Sequence, residues 1–292
     1  MISVVVVTYN SSAHIEDCLR SLSGVERIVV DNGSADGSAD AARRAGATVI
    51  ANPDNRGFAA AANQGVEAAT GDVVLLLNPD TVLLEGFDAL KATLARPSVF
   101  AAAGVLVDGD RRPQVGFTVK RLPTFWSLGF EVLGLNSVFP ANPVNRRYRC
   151  LDLDLSLAQE VEQPAGACLA FRKSAWREFG GFDERFHPLW FEDVDFCLRL
   201  KQSGRNIAFE PRCRFRHVGA HSLDSVGFAD RQRFWYRNLL YYVRKNEGFA
   251  ASLMMRVLIC AGAFARMAVY LLRGDFFRAR AFGAVIQMAL FK

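Results

Sequence analysis

Short apolar runs alternate with segments of helical periodicity over the first hundred residues. The runs have the length and β-branched content of buried strands, so we predict strands at 2–8, 26–31, 47–51, 72–77 and 99–106. The intervening segments place apolar residues on one helical face, which predicts helices at 13–23, 37–46, 58–70 and 86–95. Strands that alternate with helices indicate an α/β fold, with a mostly parallel sheet joined by right-handed crossovers.

The pattern changes beyond this region. Between 108 and 160 several prolines interrupt the periodicity, and we predict an irregular segment that either shapes a ligand site or is a surface loop. Regular structure returns near Pro164, and a helical pattern fills 228–246 before a strongly apolar tail. We therefore predict one α/β domain at 1–246 and a helical tail at 247–292.

Composition and charge narrow the possible partners. Hydrophobic residues make up 51% of the chain, which excludes global disorder, and the six cysteines are scattered as in proteins of a reducing cytosol. The first residues enter a strand at once, so we expect no signal peptide. The net charge is +5, but the excess of Lys and Arg lies entirely within 244–292. We therefore expect no nucleic-acid partner, and an anionic membrane surface for the tail.

Polar side chains follow the first, second and fourth predicted strands, where ligands bind in open α/β sheets. Asp80, in the Asn78-Pro79-Asp80 tripeptide, puts a carboxylate beyond a buried strand. Such an oxygen is a suitable ligand for Mg²⁺ or Mn²⁺, and so for a diphosphate. Asn-Pro-Asp is also favourable β-turn chemistry, which is the alternative interpretation.

The loops after the first two strands suit a nucleobase. Thr8-Tyr9-Asn10 lacks the glycines of a dinucleotide-binding turn and instead offers an aromatic ring with small polar groups. Asp31 is placed to accept from the N3–H of a pyrimidine. Arg56-Gly57 opens a helix, so its N–H groups and guanidinium could meet the phosphates or sugar of a donor, although Arg56 could equally be a solvated surface residue.

These motifs, in their order along the chain, resemble family 2 glycosyltransferases with the GT-A fold. The resemblance spans about residues 2 to 245, and within the family it is closest to bacterial rhamnosyltransferases of cell-surface polysaccharide assembly. The sequences that carry it are VVVVTYN, VDNGSADGS, NPDNRGFAAAANQG, NPD, GGFDERF, FEDVDFCLRLKQSG and the segment from His217 to Ser222.

The resemblance implies roles for residues at the predicted diphosphate site. Asp80 matches the metal-binding carboxylate of the family's D-x-D motif, and Asn78 replaces its first acidic residue. His217 matches a histidine that completes the protein ligands of the metal, with His221 as the rival candidate. The donor is then a nucleotide sugar held by a divalent ion, Mg²⁺ or Mn²⁺.

A second set of residues belongs to the acceptor. Glu192 and Asp193 begin a predicted helix, where acidic residues are also favoured by the helix dipole alone. The resemblance implies that Asp193 is the catalytic base and that Glu192 contacts the acceptor. Trp190 either stacks on a sugar ring or belongs to the core.

The tail carries three arginines within its apolar segment. Arg256, Arg266 and Arg273 share an arc of about 100° on a helical wheel. The longest uncharged run is too short to span a bilayer, so we predict an amphipathic helix in the membrane interface. The alternative is that the tail helices pack on the domain, or on a second subunit of a homo-oligomer.

The sequence thus predicts an inverting, metal-dependent glycosyltransferase on the cytoplasmic face of the plasma membrane. We expect it to move a sugar, L-rhamnose from dTDP-rhamnose, to a polyprenyl-linked saccharide acceptor. The alternatives are a UDP-hexose or UDP-HexNAc transferase, and a catalytically inactive, membrane-attached protein that binds nucleotide sugars. A sugar-nucleotide pyrophosphorylase would need a Gly-rich, basic loop after the first strand, which Ser11-Ser12-Ala13 does not supply.

Overall fold

The computed structural model describes residues 1–219 and 226–291. The strands are β1 (Ile2–Thr8), β2 (Glu26–Asp31), β3 (Thr48–Ala51), β4 (Val73–Leu77), β5 (Thr81–Glu85), β6 (Val99–Val107), β7 (Val119–Lys120), β8 (Gln159–Val161), β9 (Gln163–Pro164), β10 (Cys168–Arg172) and β11 (Asn206–His217). The helices are α1 (Ser12–Arg20), α2 (Ser38–Arg44), α3 (Phe58–Ala68), α4 (Phe87–Ala95), α5 (Phe125–Leu133), α6 (Leu135–Val138), α7 (Pro143–Tyr148), α8 (Lys173–Glu178), α9 (Glu192–Gln202), α10 (Phe228–Asn246), α11 (Phe249–Leu272) and α12 (Phe276–Phe291).

The described strands form one large mixed sheet and a small β7–β9 pair. The order in the large sheet is β3-β2-β1-β4-β10-β6-β11-β5, with β8 added to β11. β1 pairs in parallel with β2 and β4, whereas β10 runs antiparallel between β4 and β6. Val5 and Val7 pack in one hydrophobic cluster and Val4 and Val6 in the other, so the sheet is buried on both faces.

The structure confirms the five predicted strands and four predicted helices of the first hundred residues, with ends that differ by three residues or fewer. β5 was not predicted, because its apolar run Val82-Leu83-Leu84 has only three residues and is only partly buried. It pairs antiparallel with β11, so tertiary pairing creates this strand.

The expectation of irregular structure throughout 108–160 is wrong at its centre. α5, α6 and α7 lie within this segment, and two of its prolines lie at the starts of helices. Pro123 precedes Thr124, which forms a capping box with Ser127 at the start of α5. Pro143 is the first residue of α7, a position that needs no amide hydrogen bond. Pro123 and Pro143 therefore mark where α5 and α7 begin.

The chain packs as two compact units. The first consists of Met1–Leu122, Arg149–Pro188 and the described residues 192–219, and the second of Pro123–Tyr148, Leu189–Phe191 and the described residues 226–291. α10 is thus grouped with the tail helices. The predicted division at residues 246 and 247 stays a prediction, since packing alone does not show which segment folds independently.

The arginines of α11 face the interior of the second unit. Arg266 donates to the carbonyls of Glu131 (3.0 Å) and Val132, near the end of α5. Arg256 donates to the carbonyl of Ala289 in α12, at 2.7 Å. Our inference that these two arginines meet anionic lipid is therefore wrong, because their guanidinium groups are directed at backbone carbonyls at helix ends.

The opposite face of α11 is apolar and exposed. Leu253, Val257, Phe264 and Leu272 lie along it, with exposed fractions of 55, 65, 61 and 89%. Within the described residues α11 alone has the length and composition of a membrane-crossing helix, and 22% of its most apolar window is buried. Such a helix also occurs in soluble proteins, so this test by itself decides nothing about a membrane.

Candidate active site

The predicted donor residues of the first unit gather at one edge of the large sheet. Thr8 is paired with Asp31 at the carboxyl ends of β1 and β2, and Val6 with Leu77 near the end of β4. β6 is parallel to β4, because both run antiparallel to β10, and β11 is parallel to β6. The loops after all five strands therefore open on the same edge, and for β1, β2 and β4 this agrees with the sequence prediction.

Asp31 has a free acceptor at this edge. The side chain is 4% exposed, and its Oδ2 accepts from the amide of Ser34 at 3.1 Å. Its Oδ1 is buried without a hydrogen-bond partner, and so is the hydroxyl of neighbouring Thr8. Buried polar atoms are normally satisfied, so these two indicate a ligand with polar edges.

Asn10 holds the two loops together. Its φ of 52° is in the left-handed region, which asparagine tolerates, and its amide donates to Ser34 Oγ at 2.9 Å. Its Oδ1 accepts from the amide of Ala35 at 2.9 Å. Tyr9, just before it, is partly exposed and so presents a ring surface at the edge. The structure therefore gives Asn10 a scaffolding role besides its predicted donor contact.

The Arg56-Gly57 turn is hydrogen-bonded to the side chain of Asn32. The side chain of Asn32 accepts from the amide of Arg56 and donates to the carbonyl of Gly57, each at 3.2 Å. Gly57 has a φ of 85°, and a Cβ there would lie 2.7 Å from the His187 ring. Arg56 itself is exposed. Asn32 also accepts from Asn52 Nδ2 at 3.2 Å, and no local sequence pattern identifies this role.

Asp80 and His217 come together as the resemblance implied. Asp80 Oδ2 accepts from the amide of Gly219 at 3.1 Å, and Asp80 Oδ1 is buried without a hydrogen-bond partner. His217 Nε2 lies 3.6 Å from this Oδ1, and both side chains are 4% exposed. Burial lowers the pKa of His217, and the charge of Asp80 opposes this only in part. Burial therefore favours the neutral imidazole of His217. His221 lies outside the described residues.

Two residues that the sequence analysis missed surround His217. Gln114 Oε1 lies 3.0 Å from His217 Nδ1, and the ring of Phe117 is stacked on the imidazole at 5.1 Å between centroids. Both come from the loop after β6, which we predicted only as irregular. No local pattern identifies them, because β11, which carries His217, is a hundred residues away in the chain.

Asp193 begins α9 and is held by backbone amides. Its Oδ2 accepts from Gly166 at 2.9 Å, and its Oδ1 from Val194 at 2.8 Å. Burial raises the pKa of Asp193, and these amide hydrogen bonds together with the charge of Lys120 oppose the rise. The side chain keeps some exposure, so it can reach a ligand. A partly desolvated carboxylate of this kind is a stronger base than an ordinary aspartate.

Backbone contacts connect Asp193 to the end of β4. Gly166 bonds to Asp193, and the next residue, Ala167, accepts from the amide of Asn78 at 3.0 Å. Asn78 is two residues from Asp80, so these backbone contacts link the predicted base to the segment that carries the predicted metal ligand. A Cβ on Gly166 would lie 3.0 Å from Asp193 Oδ2, which explains the glycine. No local sequence pattern identifies Gly166.

The other residues of the acidic segment differ in role. Glu192 is buried, its Oε2 has no hydrogen-bond partner, and burial and then the neighbouring Asp193 raise its pKa well above the usual range. Asp195 is fully buried and paired with Arg199 at 2.9 Å, which gives it a structural role. Trp190 belongs to the second unit, where its carbonyl accepts from Asn238 Nδ2 at 3.4 Å. Its contact with an acceptor stays a prediction.

The protein alone does not complete a metal site. Among residues 1–219 and 226–291, no group of three or more His, Cys, Asp or Glu side chains is arranged to hold an ion. Asp80 and His217 could supply two ligands. Any ion there would need further ligands from a bound substrate, and phosphate oxygens are suitable ones.

Comparisons with known proteins identify the family. The family model described as Glycosyl transferase family 2 matches residues 3–179. The chain is 30% identical over 293 residues to the N-acetylglucosaminyl-diphospho-decaprenol L-rhamnosyltransferase of Mycobacterium tuberculosis, covering 88% of this chain and 93% of that protein. It is also 30% identical over 232 residues to a pre-mycofactocin glycosyltransferase of the same organism, covering 74% of this chain but 42% of that protein.

The fold has counterparts among solved structures. A mannosyltransferase from Pyrobaculum calidifontis, in complex with GDP-Man and Mn²⁺, has a TM-score of 0.55 at 19% identity. The similarity covers 100% of this chain and 81% of that one. The family match covers more than half of the chain. The protein is thus a member of glycosyl transferase family 2, with the GT-A fold.

Proposed function

We propose that the protein is an inverting, metal-dependent glycosyltransferase that transfers L-rhamnose from dTDP-rhamnose to a lipid-linked saccharide in cell-surface polysaccharide synthesis. The choice of sugar and acceptor is supported by the rhamnosyltransferase relative, whose similarity extends over 88% of this chain. A UDP-hexose or UDP-HexNAc donor is the alternative within the same family.

The observation that supports a metal site is that Asp80 and His217 face each other without forming a hydrogen bond. Asp80 Oδ1 is buried and lacks a donor, and the neutral imidazole faces it at 3.6 Å, which is too long for a hydrogen bond. Metal–ligand distances of about 2.1 Å allow two ligands of one ion to lie 3 to 4 Å apart. A divalent cation between the two atoms would satisfy both, so the residues fit the ion.

A bound Mg²⁺ or Mn²⁺ would neutralise the negative charge that develops on the diphosphate as its bond to the sugar breaks. Asp80 and His217 would hold it from the protein side. Mn²⁺ is the better match for the imidazole, since Mg²⁺ favours oxygen ligands.

Donor recognition would use the edge formed by β1 and β2. The free Oδ1 of Asp31 suits the N3–H of thymine or uracil, and the partly exposed ring of Tyr9 suits stacking on the base. The Thr8 hydroxyl is a second unpartnered group beside them. Arg56 is exposed next to these loops, so its guanidinium is available for the diphosphate.

Transfer would proceed by a single displacement. The acceptor hydroxyl oxygen attacks the anomeric carbon, its proton passes to Asp193, and the bond between that carbon and the diphosphate breaks. The nucleotide diphosphate leaves with the bonding electrons, so the configuration of the anomeric carbon inverts. The amides of Gly166 and Val194 orient the Asp193 carboxylate for this step. Glu192, beside it, would contact the acceptor.

The acceptor lipid implies a membrane surface, and we place the protein peripherally at the cytoplasmic face. The support within the second unit is the exposed apolar face of α11, which includes Leu253, Val257 and Phe264. An apolar face of this length suits the boundary between headgroups and acyl chains. The same face could instead bury against a second copy of the chain in a homo-oligomer.

The test of the proposal is a thermal-shift panel of dTDP- and UDP-sugars, with and without Mn²⁺. A specific donor at about 100 times its dissociation constant should stabilise the protein by about 2.7 kcal/mol. Excess EDTA or Asp80→Ala should remove this shift and the transfer activity. A panel in which no nucleotide sugar shifts the melting temperature would refute the proposal. A shift without donor hydrolysis or transfer would favour the inactive binding protein.

Membrane attachment is tested separately with liposomes. The intact protein should sediment with vesicles, and replacing Val257 and Phe264 by serine should abolish this without loss of donor binding. A protein that ignores vesicles but is dimeric in solution, and becomes monomeric in this variant, would refute the membrane surface and support the homo-oligomer.

A further inference from the structure

Gln114 makes two hydrogen bonds to His217, one to its backbone and one to its ring. Its Nε2 donates to the carbonyl oxygen of His217 at 2.8 Å, and its Oε1 lies 3.0 Å from Nδ1. A carbonyl oxygen can only accept, so the amide group of Gln114 must be turned with Oε1 towards the ring. Nδ1 must then be the donor. The neutral imidazole therefore carries its proton on Nδ1.

The consequence appears at the other ring nitrogen. With the proton on Nδ1, Nε2 presents a lone pair to Asp80 Oδ1, which also has no donor. In the opposite tautomer a proton on Nε2 would point at the carboxylate and occupy the same space as a cation. A residue that fixes the Nδ1–H tautomer thus keeps the site open for a positive ligand.

The loop that carries Gln114 is itself fixed. The amide of Gln114 donates to the carbonyl of Leu106 in β6 at 2.8 Å, and its carbonyl accepts from the amide of Thr118 at 2.9 Å. Phe117 from the same loop stacks on the imidazole with an interplanar angle of 9°. The loop after β6 therefore restrains the proton position of the ring through Gln114 and its orientation through Phe117.

We propose that Gln114 is a positioning residue, which sets the Nδ1–H tautomer of His217 so that Nε2 and Asp80 Oδ1 together accept a divalent cation. The inference rests on the metal in the proposed function, and it adds a residue that touches neither donor nor acceptor. It predicts that metal affinity depends on the loop after β6.

The test compares Gln114→Met, which keeps size but removes both hydrogen bonds, with two other variants. Gln114→Glu keeps an acceptor facing Nδ1. Gln202→Met makes the same chemical change at an exposed position at the end of α9. Far-UV circular dichroism and thermal melting show whether each variant is folded.

The first readout needs no metal. Long-range ¹H–¹⁵N spectra of the metal-free protein report the tautomer of each of the four histidines, and His217→Gln assigns the signal. We expect the Nδ1–H form in wild type, in Gln202→Met and in Gln114→Glu, and a shift towards the Nε2–H form in Gln114→Met. A wild-type Nε2–H tautomer would overturn the inference.

The second readout is the dissociation constant of Mn²⁺, titrated in the presence of dTDP. Loss of a residue that hydrogen-bonds to a metal ligand typically weakens metal binding by about 10- to 100-fold. We expect this loss for Gln114→Met, but not for Gln114→Glu or Gln202→Met. Gln114→Met with unchanged tautomer and affinity would also overturn the inference. If wild type binds no Mn²⁺ but Gln114→Met still loses the Nδ1–H form, the proposed metal fails while the role of Gln114 as a positioning residue stands.

Discussion

Replacing Asp193 with asparagine tests the proposed catalytic base. The structure indicates that this change also alters hydrogen bonds, and so the stability of the folded state. Gly166 and Val194 donate to different oxygens of the carboxylate, at 2.9 and 2.8 Å. Asparagine has one oxygen, so its NH₂ group must face one of these amides. The cost of that unsatisfied contact is about 1–3 kcal/mol. A neutral asparagine avoids the desolvation cost of the buried carboxylate, which is the reason that burial raises the pKa of Asp193. This gain offsets part of the cost of the unsatisfied contact.

The effect on catalysis should be distinct from this small change in stability. Loss of a general base typically costs about 10²- to 10⁴-fold in rate, or about 3–5 kcal/mol of activation free energy. We expect the loss in kcat for transfer, with donor affinity in thermal-shift titrations within about threefold of wild type. Asp72→Asn is the matched control, because Asp72 is 94% exposed at the opposite end of β4.

The pH profile supplies a second check on Asp193. The base must be deprotonated to act, so kcat/KM should rise with pH through the pKa of Asp193, which burial raises above its usual range. The residual activity of Asp193→Asn should lack this rise. Turnover within about threefold of wild type, or an unchanged acid limb, would refute the assignment of Asp193 as the base.

Three further substitutions follow from the contacts. Gly166→Ala places a Cβ 3.0 Å from Asp193 Oδ2, so kcat should fall about 10-fold, with Gly109→Ala as the control in open space; equal kcat values would contradict this. Glu192→Gln should raise the melting temperature at pH 8 but not near pH 4. Burial raises the pKa of Glu192, so ionisation of this side chain destabilises the folded state only above the pKa that glutamate has in the unfolded chain. A difference in melting temperature between variant and wild type that does not change with pH would show that ionisation is not the cause. Arg266→Met should destabilise the protein by about 2–4 kcal/mol in urea unfolding, because carbonyls near the end of α5 lose a charged donor, and no loss of stability would mean that these bonds contribute little.

The donor edge was predictable because chain order determines it. In a sheet of parallel strands with short crossovers, the residue after each strand lies at the same edge, so Tyr9, Asp31 and Asp80 could be placed together from the sequence. The prediction needed only strand ends, and the apolar runs gave these to within three residues. His217 followed from the resemblance to the family.

The supporting residues were not predictable in this way. Gln114 contacts His217 across more than a hundred residues, and Gly166 contacts Asp193 across 27. Neither residue lies in a recognisable motif. Gln114 is in the loop after β6, and Gly166 follows the two-residue strand β9. Their roles depend on how β6, β10 and β11 are ordered in the sheet, and no periodicity in the chain contains that order. Local patterns therefore identified groups that could do chemistry, but not the residues that orient them.

The tail shows how a correct periodicity can lead to a wrong physical assignment. The helical wheel placed Arg256, Arg266 and Arg273 on one arc, and α11 does span all but the last of these residues as a single helix. A wheel does not say which arc faces the protein. In the structure Arg256 and Arg266 bond to carbonyls inside the second unit, and the uncharged arc is the one exposed.

This orientation changes what should bind the tail to a membrane. If the apolar face of α11 enters the lipid, buried apolar area supplies most of the free energy, and salt should weaken binding only slightly. Arg273 is exposed at the end of α11, so it remains available to an anionic headgroup, whereas Arg266 is not. Any preference for anionic vesicles should therefore depend on Arg273 and survive Arg266→Met in the fraction of protein that stays folded. The opposite result would mean that the contacts of Arg266 within the second unit open at the membrane.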